Sequence, residues 1–240
     1  MSIPATQSWS IIILCYNEEG TIKKVIEDAL STLKIISNNC GQVIVVNDGS
    51  NDNSHKIISD LTINNKNITY INHTNNKGIG KSLYSGYQNA VNENVIMIPG
   101  DDQFNLEELI PYKNLQNNSF LSFYRVNNQI YSRSRKWLSS FNRLLNRYTI
   151  KLILKDVNWV KAYKNESLKL LDLKMESSLI ESEICSKMVY NGNHPIEIPS
   201  NYQTRLSGNS NGASFKIIKQ AFLETPKLIW VYWCYRTICK

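Results

Sequence analysis

The sequence predicts an α/β fold, a mostly parallel sheet flanked by helices, with a less regular C-terminal half. Three observations predict it. Short β-branched runs such as 42–47 and 95–99 read as buried strands, because a parallel strand covered on both faces is apolar throughout. Segments of helical periodicity separate these runs. The loops between are short, and strand and helix alternate four times, as in a doubly wound parallel sheet.

Residues 9–16 read as the first strand, with Asn17, Glu18, Glu19 and Gly20 as its exit loop. Thr21 then caps a helix whose apolar face is Ile22, Val25, Ile26, Ala29, Leu30 and Leu33. The second strand is 42–47, and the helix beyond its 48–53 turn carries Ile57, Ile58 and Leu61. The third strand is 68–72, and a glycine-rich loop at 76–80 opens a helix through Leu83, Tyr87 and Val91. The fourth strand is 95–99. Residues 105–115 then read as helix and 120–124 as strand. Residues 134–154 read as one long helix with two faces. Trp137, Phe141, Leu144, Tyr148 and Leu152 form an apolar stripe, and Lys136, Arg143, Arg147 and Lys151 a basic one. Next come 157–163, a helix near 178–190, an extended 196–205 and a last helix from about Ala213. No repeat or linker interrupts the chain, so residues 1–240 read as one domain.

Composition bounds the function. A chain of 240 residues that is 42% hydrophobic has enough material for a full α/β core. Its mean hydropathy is −0.32. No apolar run approaches the roughly 20 residues of a spanning helix. The first residues lack the basic and apolar regions of a secretory signal. Five cysteines without metal-like spacing point to a reducing cytosol, with Cys15 in the core. The net charge of +7 favours anionic partners: nucleotides, lipid phosphates, a membrane surface or nucleic acid. Residues 109–155 contain no Asp or Glu and nine Lys or Arg. The basic helix at 134–154 within it reads equally as a solvated charged face over an apolar core stripe or as a membrane-surface helix. The aromatic run at 228–235 suits either an interface or packing on the sheet. No RNA- or DNA-binding motif is present, which argues against nucleic acid.

Ligands of open α/β sheets bind at the carboxyl ends of the strands, and two strands here end in acid. Asp48 follows the second strand, where a carboxylate can accept from a ribose hydroxyl or a base N–H. The structural alternative is a turn or helix-capping Asp. Glu18, on the neighbouring loop, favours a ligand role. Asp101, Asp102 and Gln103 follow the fourth strand as hard oxygen donors suited to Mg²⁺ or Mn²⁺, which also bind substrate phosphates. Alternation makes Asp101 and Gln103 the better ligand pair, and helix capping is again the alternative. Gly78 and Gly80 could cradle a phosphate, although a βα turn uses glycine in any case. The P-loop and dinucleotide fingerprints are absent.

The segments 10–19, 45–50, 76–81 and 99–103 together resemble the family 2 glycosyltransferases of the GT-A fold, in order and in spacing. The branch they are most similar to is the polyprenyl- or dolichyl-phosphate sugar transferases. The likeness continues through Tyr124, Arg125, 133–142, 156–158 and 205–210. The resemblance implies a nucleotide-sugar-binding half over 1–104 and an acceptor-side half over 105–240. It implies inverting transfer from a UDP- or GDP-sugar to a polyprenyl phosphate, at the cytoplasmic face of a membrane. Tyr16, Asn17, Glu18, Asp48, Gly78 and Lys81 would bind the donor, and Asp101 with Gln103 a divalent cation. Arg205 would clamp phosphate, and Arg125, Arg133, Arg135 and Ser210 would meet the acceptor phosphate. Asp101, Asp102 and Arg205 would carry the catalysis. An anionic phosphate acceptor needs no general base. The alternative of the same class, transfer to a sugar hydroxyl in cell-surface glycan assembly, would need one, with Asp102, Glu181 and Glu183 as candidates. A non-catalytic sugar-nucleotide or membrane-binding module is the alternative of a different class. Pro99 stands where the branch carries its first Asp, so the cation site has one ligand fewer, or Asp102 substitutes.

Overall fold

The computed structural model describes residues 7–37, 40–63, 65–126, 133–203 and 215–238, with the side chains of all but 133–139, 141, 215–218 and 238. Strands β1 (Trp9–Cys15), β2 (Gln42–Asn47), β3 (Ile68–Asn72) and β4 (Asn94–Pro99) alternate with helices α1 (Ile22–Ile36), α2 (Ser54–Ile63) and α3 (Ile79–Asn89). There follow β5 (Ser119–Arg125), α4 (Arg133–Thr149), β6 (Lys161–Lys164), α5 (Asn165–Lys169), α6 (Ile180–Tyr190), β7 (His194–Ser200) and α7 (Phe215–Ile238). The strands form one sheet in the order β3-β2-β1-β4-β6-β5-β7. β1 pairs parallel with both β2 and β4, and β3 extends that block. β6 runs antiparallel to β4 and β5, while β7 is parallel to β5. An apolar run marks a strand but carries no direction, so the reversal at β6 comes from tertiary pairing.

The pleat sends alternate residues of β1 into two separate cores. Trp9, Ile11, Ile13 and Cys15 pack with Val25, Ile26 and Ala29 of α1 and Ile58 of α2. Ile12 faces Leu83 and Tyr87 of α3, Ile184 of α6 and Leu228 of α7. The predicted helix at 105–115 is only a 3₁₀ turn over Leu106–Tyr112. Asn105 caps it by accepting the Glu107 N–H at 3.0 Å, and Pro111 inside it offers no N–H for continuation. Thr21 stands at the N-cap position of α1, but its hydroxyl donates to the Gly100 carbonyl at 2.8 Å.

The long basic helix departs from expectation in two ways. It stops at Thr149, where the N–H groups of Ile150 and Leu152 both return to the Asn146 carbonyl and Lys151 takes a φ of 56°. Its predicted apolar stripe divides: Leu152, beyond the helix end, is buried in the core, the side chains of Trp137 and Phe141 lie outside the described residues, and two members face solvent. Leu144 is 57% and Tyr148 66% exposed, whereas Asn146 is fully buried and donates to the Ser182 hydroxyl. In the C-terminal helix, Leu228, Val231 and Tyr232 pack inward and Trp230 stays 68% exposed. No helix among the described residues is long and apolar enough to cross a membrane.

Between α3, β6 and α6 the second core encloses a carboxylate. Glu181 accepts the Tyr87 hydroxyl at 2.7 Å and the Tyr163 hydroxyl at 2.5 Å. Burial pushes its carboxyl above the usual range, and the nearby Lys161 charge opposes this only in part. The folded state therefore holds this proton more tightly than the unfolded chain does. Stability from this group is full below the ordinary carboxylate pKa and is lost as pH rises through the raised value. Glu181→Gln removes the titration. Urea denaturation from pH 4 to 7 should show wild type losing stability relative to the variant as pH rises.

Candidate active site

Parallel pairing brings the carboxyl ends of β1, β2, β3 and β4 to one edge of the sheet, where their exit loops are laced together. The Asn17 N–H donates to Ser50 Oγ at 2.9 Å, and Asn17 Oδ1 accepts the Asn51 N–H at 2.8 Å. The Glu18 N–H donates to Ser54 Oγ at 3.0 Å. Glu19 accepts the backbone and side-chain N–H groups of Asn53. These bonds hold Asn17 at a φ of 58° and leave Glu18 almost wholly buried beside the turn that carries Asp48. Tyr16 is half-buried on the same loop.

Asp48 organises the next loop. Its Oδ1 accepts His73 Nδ1 and the Lys77 N–H, both at 2.9 Å. Its Oδ2 accepts the Gly78 N–H at 2.9 Å. The 75–78 loop is thereby pulled onto the 48–50 turn. A Cβ on Gly49, whose φ is 71°, would lie 2.5 Å from the Asn75 carbonyl carbon. His73 is buried, and its Nε2 lies 3.1 Å from Ser85 Oγ.

The two glycines of the loop serve different ends. Gly78 has open space where a Cβ would stand, and its φ of 90° is what calls for glycine. At Gly80 a Cβ would collide with the Glu176 carbonyl oxygen. Residues 172–177 thus lie as a strap against the start of α3, so Gly80 accommodates backbone rather than a phosphate. Lys81 pairs with Glu176 at 2.9 Å. Glu183 accepts the N–H groups of Lys174 and Met175 and receives Lys187 Nζ at 2.6 Å. Glu224 on α7 accepts the N–H groups of Glu176 and Ser177. Glu181 and Glu183 are therefore buried structural groups, which corrects their candidacy as general bases.

At the end of β4, Asp101 and Asp102 part company. Asp101 Oδ1 accepts the Gln103 N–H at 3.3 Å. Asp102 takes a φ of 60° and meets Lys24 Nζ of α1 at 2.7 Å. Its buried carboxylate thus pairs with a helix that packs on the sheet. Gln103 donates Nε2 to the Tyr202 hydroxyl at 2.5 Å and to the Gln203 carbonyl at 3.3 Å. Tyr202 leads to Arg125, whose guanidinium lies 5.7 Å from the Tyr202 ring and 4.8 Å from the Trp159 ring. Asp156 takes that guanidinium in a fork, with Nε at 2.7 Å and Nη2 at 3.0 Å. Asp101, Gln103, Tyr202, Arg125 and Asp156 thus form one continuous chain of contacts.

The oxygen donors of Asp101 and Gln103 fit a hard divalent cation. Mg²⁺ and ions like it bind through one or two carboxylates together with substrate phosphates. Among the described residues no group of three His, Cys, Asp or Glu could hold a metal by itself, so substrate oxygens would complete the shell. Arg205 and Ser210 lie outside the described residues, as do the side chains of Arg133 and Arg135 on α4. Sequence reasoning passed over His73 and Tyr202. Each follows a strand at the ligand-binding edge, and that position was the available signal.

The two glycines yield a paired prediction. Gly80→Ala should cost about 1–3 kcal/mol through overpacking against the strap. Gly78→Ala should cost about 1–3 kcal/mol through backbone strain alone, since its φ of 90° and ψ of 162° lie in a region essentially reserved for glycine. Urea denaturation measures both, and only Gly80→Ala should also raise amide exchange across 174–177.

The model of Glycosyl transferase family 2 matches residues 10–170. Dolichyl-phosphate beta-glucosyltransferase ALG5A of Trichomonas vaginalis is 26% identical over 109 residues, 44% of this chain and 34% of that protein. Poly-beta-1,6-N-acetyl-D-glucosamine synthase of Staphylococcus aureus is 26% identical over 117 residues, 49% of this chain and 27% of that protein. The chain thus spans about a third of the length of the curated relatives it matches. Among solved structures, mannosyltransferase PcManGT from Pyrobaculum calidifontis, in complex with GDP-Man and Mn²⁺, superposes with a TM-score of 0.62 at 14% identity. That match covers 97% of this chain and 74% of that one. Glucosyl-3-phosphoglycerate synthase from Mycobacterium tuberculosis reaches 0.64 at 14% identity, covering 95% and 80% of the two chains. These likenesses carry the fold. The family model spans well over half of the 240 residues, and the chain belongs to glycosyl transferase family 2.

Proposed function

We propose that the protein transfers one sugar from a nucleotide-sugar donor to an anionic, phosphate-bearing acceptor of the polyprenyl phosphate type. The carrying observation is the unbroken contact path from Asp101 and Gln103 through Tyr202 to Arg125 and Asp156. It brings Asp101, Gln103 and a stacked arginine to the same sheet edge as Asp48, which supports a cation-assisted transfer site there. Tyr16, Asn17, Glu18 and Asp48 flank the nucleoside end. Asp101 and Gln103 would hold Mg²⁺ or Mn²⁺ on the diphosphate. Bound there, the cation neutralises charge on the departing nucleoside diphosphate.

The chain's own part is orientation. Asp156 fixes the plane of the Arg125 guanidinium, and the Trp159 and Tyr202 rings hold its faces. A guanidinium meets a phosphate edge-on, and Asp156 already takes the Nε–Nη2 edge of this one. An acceptor phosphate oxygen attacks the anomeric carbon, the bond from that carbon to the donor phosphate breaks, and configuration inverts. The acceptor is already ionised, so no proton is removed. The candidate bases favour this over a hydroxyl acceptor: Asp102 is paired with Lys24, Glu183 with Lys187, and Glu181 sits between two tyrosines.

A lipid acceptor also accounts for the exposed surface around α4 and α7. Leu144 and Tyr148 lie beside Arg143 and Arg147 on the outside of α4. Trp233 of α7 donates its indole N–H to the Thr149 carbonyl at 3.2 Å, which joins the two helices. Apolar and basic groups on one exposed face suit peripheral contact with anionic lipid. Each basic residue near such a surface contributes about 1 kcal/mol. Arg143→Glu with Arg147→Glu should therefore lower partition to anionic vesicles by more than about tenfold. Wild-type binding should weaken at high salt. Unchanged sedimentation with vesicles would remove the membrane reading.

Calorimetric titration with UDP and with GDP, each with and without Mn²⁺, tests the site. One nucleotide should bind, more tightly with metal, and Asp101→Ala should abolish the metal enhancement while retaining weak binding. Release of nucleoside diphosphate from the matching sugar nucleotide separates an enzyme from a binding module. Binding of neither nucleotide would overturn the donor-site reading.

A further inference from the structure

We propose that His73 is a positioning residue for the donor: it secures one oxygen of Asp48 so that the other keeps an acceptor site for a hydrogen-bond donor of the nucleoside. The inference rests on the donor-site reading above and adds a residue to it. An ionised carboxylate offers about four acceptor positions. Two on Oδ1 are filled, by His73 Nδ1 and the Lys77 N–H. One on Oδ2 is filled, by the Gly78 N–H. The remaining position is on Oδ2.

His73 is built to hold that arrangement. A carboxylate only accepts, so the Nδ1 beside Asp48 carries the proton. The backbone N–H of His73 donates to the Asn47 carbonyl at 2.9 Å, fixing the main chain next to β2. Ser85 Oγ, 3.1 Å from Nε2, fixes the far side of the ring. The imidazole is thus a rigid strut from α3 to the tip of β2. Without it Asp48 keeps its two backbone donors, but its carboxylate plane is no longer fixed. The oxygen presented to the ligand is then no longer the same one.

The geometry separates three substitutions by shape. The amide nitrogen of Asn stands where the Nδ1 of His stands, so His73→Asn keeps the donor to Asp48 and loses only Ser85. The amide of Gln reaches the Nε2 position, so His73→Gln keeps a partner for Ser85 and loses Asp48. His73→Ala loses both. The experiment titrates wild type, the three variants and Ser85→Ala with whichever of UDP or GDP the wild type binds, in saturating Mn²⁺. His73→Ala and His73→Gln should weaken binding by more than about tenfold, the cost of losing a bond to a charged group. His73→Asn and Ser85→Ala should stay within about threefold. In turnover, the first two should raise the donor KM and leave kcat within about threefold.

A purely structural role would order the variants by melting temperature and would treat Asn and Gln alike. That outcome, or His73→Ala binding as wild type does, would overturn the proposal and leave the donor site standing. Failure of wild type to bind either nucleotide, with or without Mn²⁺, would overturn both.

Discussion

β1 is bonded along both of its edges, in parallel register, to β2 and to β4: Cys15 lies opposite Asn47, and Leu14 opposite Pro99. Parallel strands in register end together. The loops carrying Asn17, Asp48 and Asp101 consequently leave the sheet side by side and cannot be separated without breaking a central strand. Two closures tighten this edge: the Asp48 N–H donates to the Cys15 carbonyl at 2.9 Å, and the Gly100 N–H to the Leu14 carbonyl at 2.8 Å. Gly100 has no room for a side chain, since its Cβ would lie 2.8 Å from Leu14 O. Pro99, which supplies no N–H, is tolerated because it is the last residue of its strand.

The C-terminal half contributes acids and lysines that look catalytic by type and are architectural by position. Glu183 and Lys187 are both nearly inaccessible and lie 2.6 Å apart. A buried pair of this kind adds little net stability, yet removing one partner is expensive because it strands the other charge. Here the carboxylate has further partners in the Lys174 and Met175 N–H groups. The pair pins a strap across the start of α3, and Lys81, Glu224 and Lys227 secure it from outside. The 76–80 loop is therefore buttressed from the half of the chain that carries Arg125. A change in α7 would reach the 76–80 loop through this strap.

The first half was legible because its rules are local. Buried parallel strands are apolar throughout and end in Gly and Asp, and α1 shows its core face at Ile22, Val25, Ile26, Ala29 and Leu33. The second half was less so. Leu144 and Tyr148 are spaced like a core stripe, and spacing alone cannot tell a stripe that meets a core from one that meets solvent. The 3₁₀ turn at Leu106–Tyr112 has the composition of a helix up to Pro111. The reversal of β6 leaves no trace in its own four residues.

Among site residues, the sequence by itself determined which loops bear carboxylates and where along the chain they fall. That follows from strand termination, a property of neighbouring residues. The resemblance added roles to those positions. Only the tertiary structure decided which partner each carboxylate meets. Asp102 and Asp101 are adjacent in sequence, yet one meets Lys24 of α1 and the other stays with Gln103. Glu181 and Glu183 lie two positions apart on α6, yet one bonds to tyrosines of α3 and β6 and the other to the strap. His73 meets Asp48, 25 residues away, only in the folded sheet. The physical reason is common to all of these. A carboxylate's role is set by the donors within about 3 Å of it, and in a parallel sheet with long crossovers those donors come from distant parts of the chain.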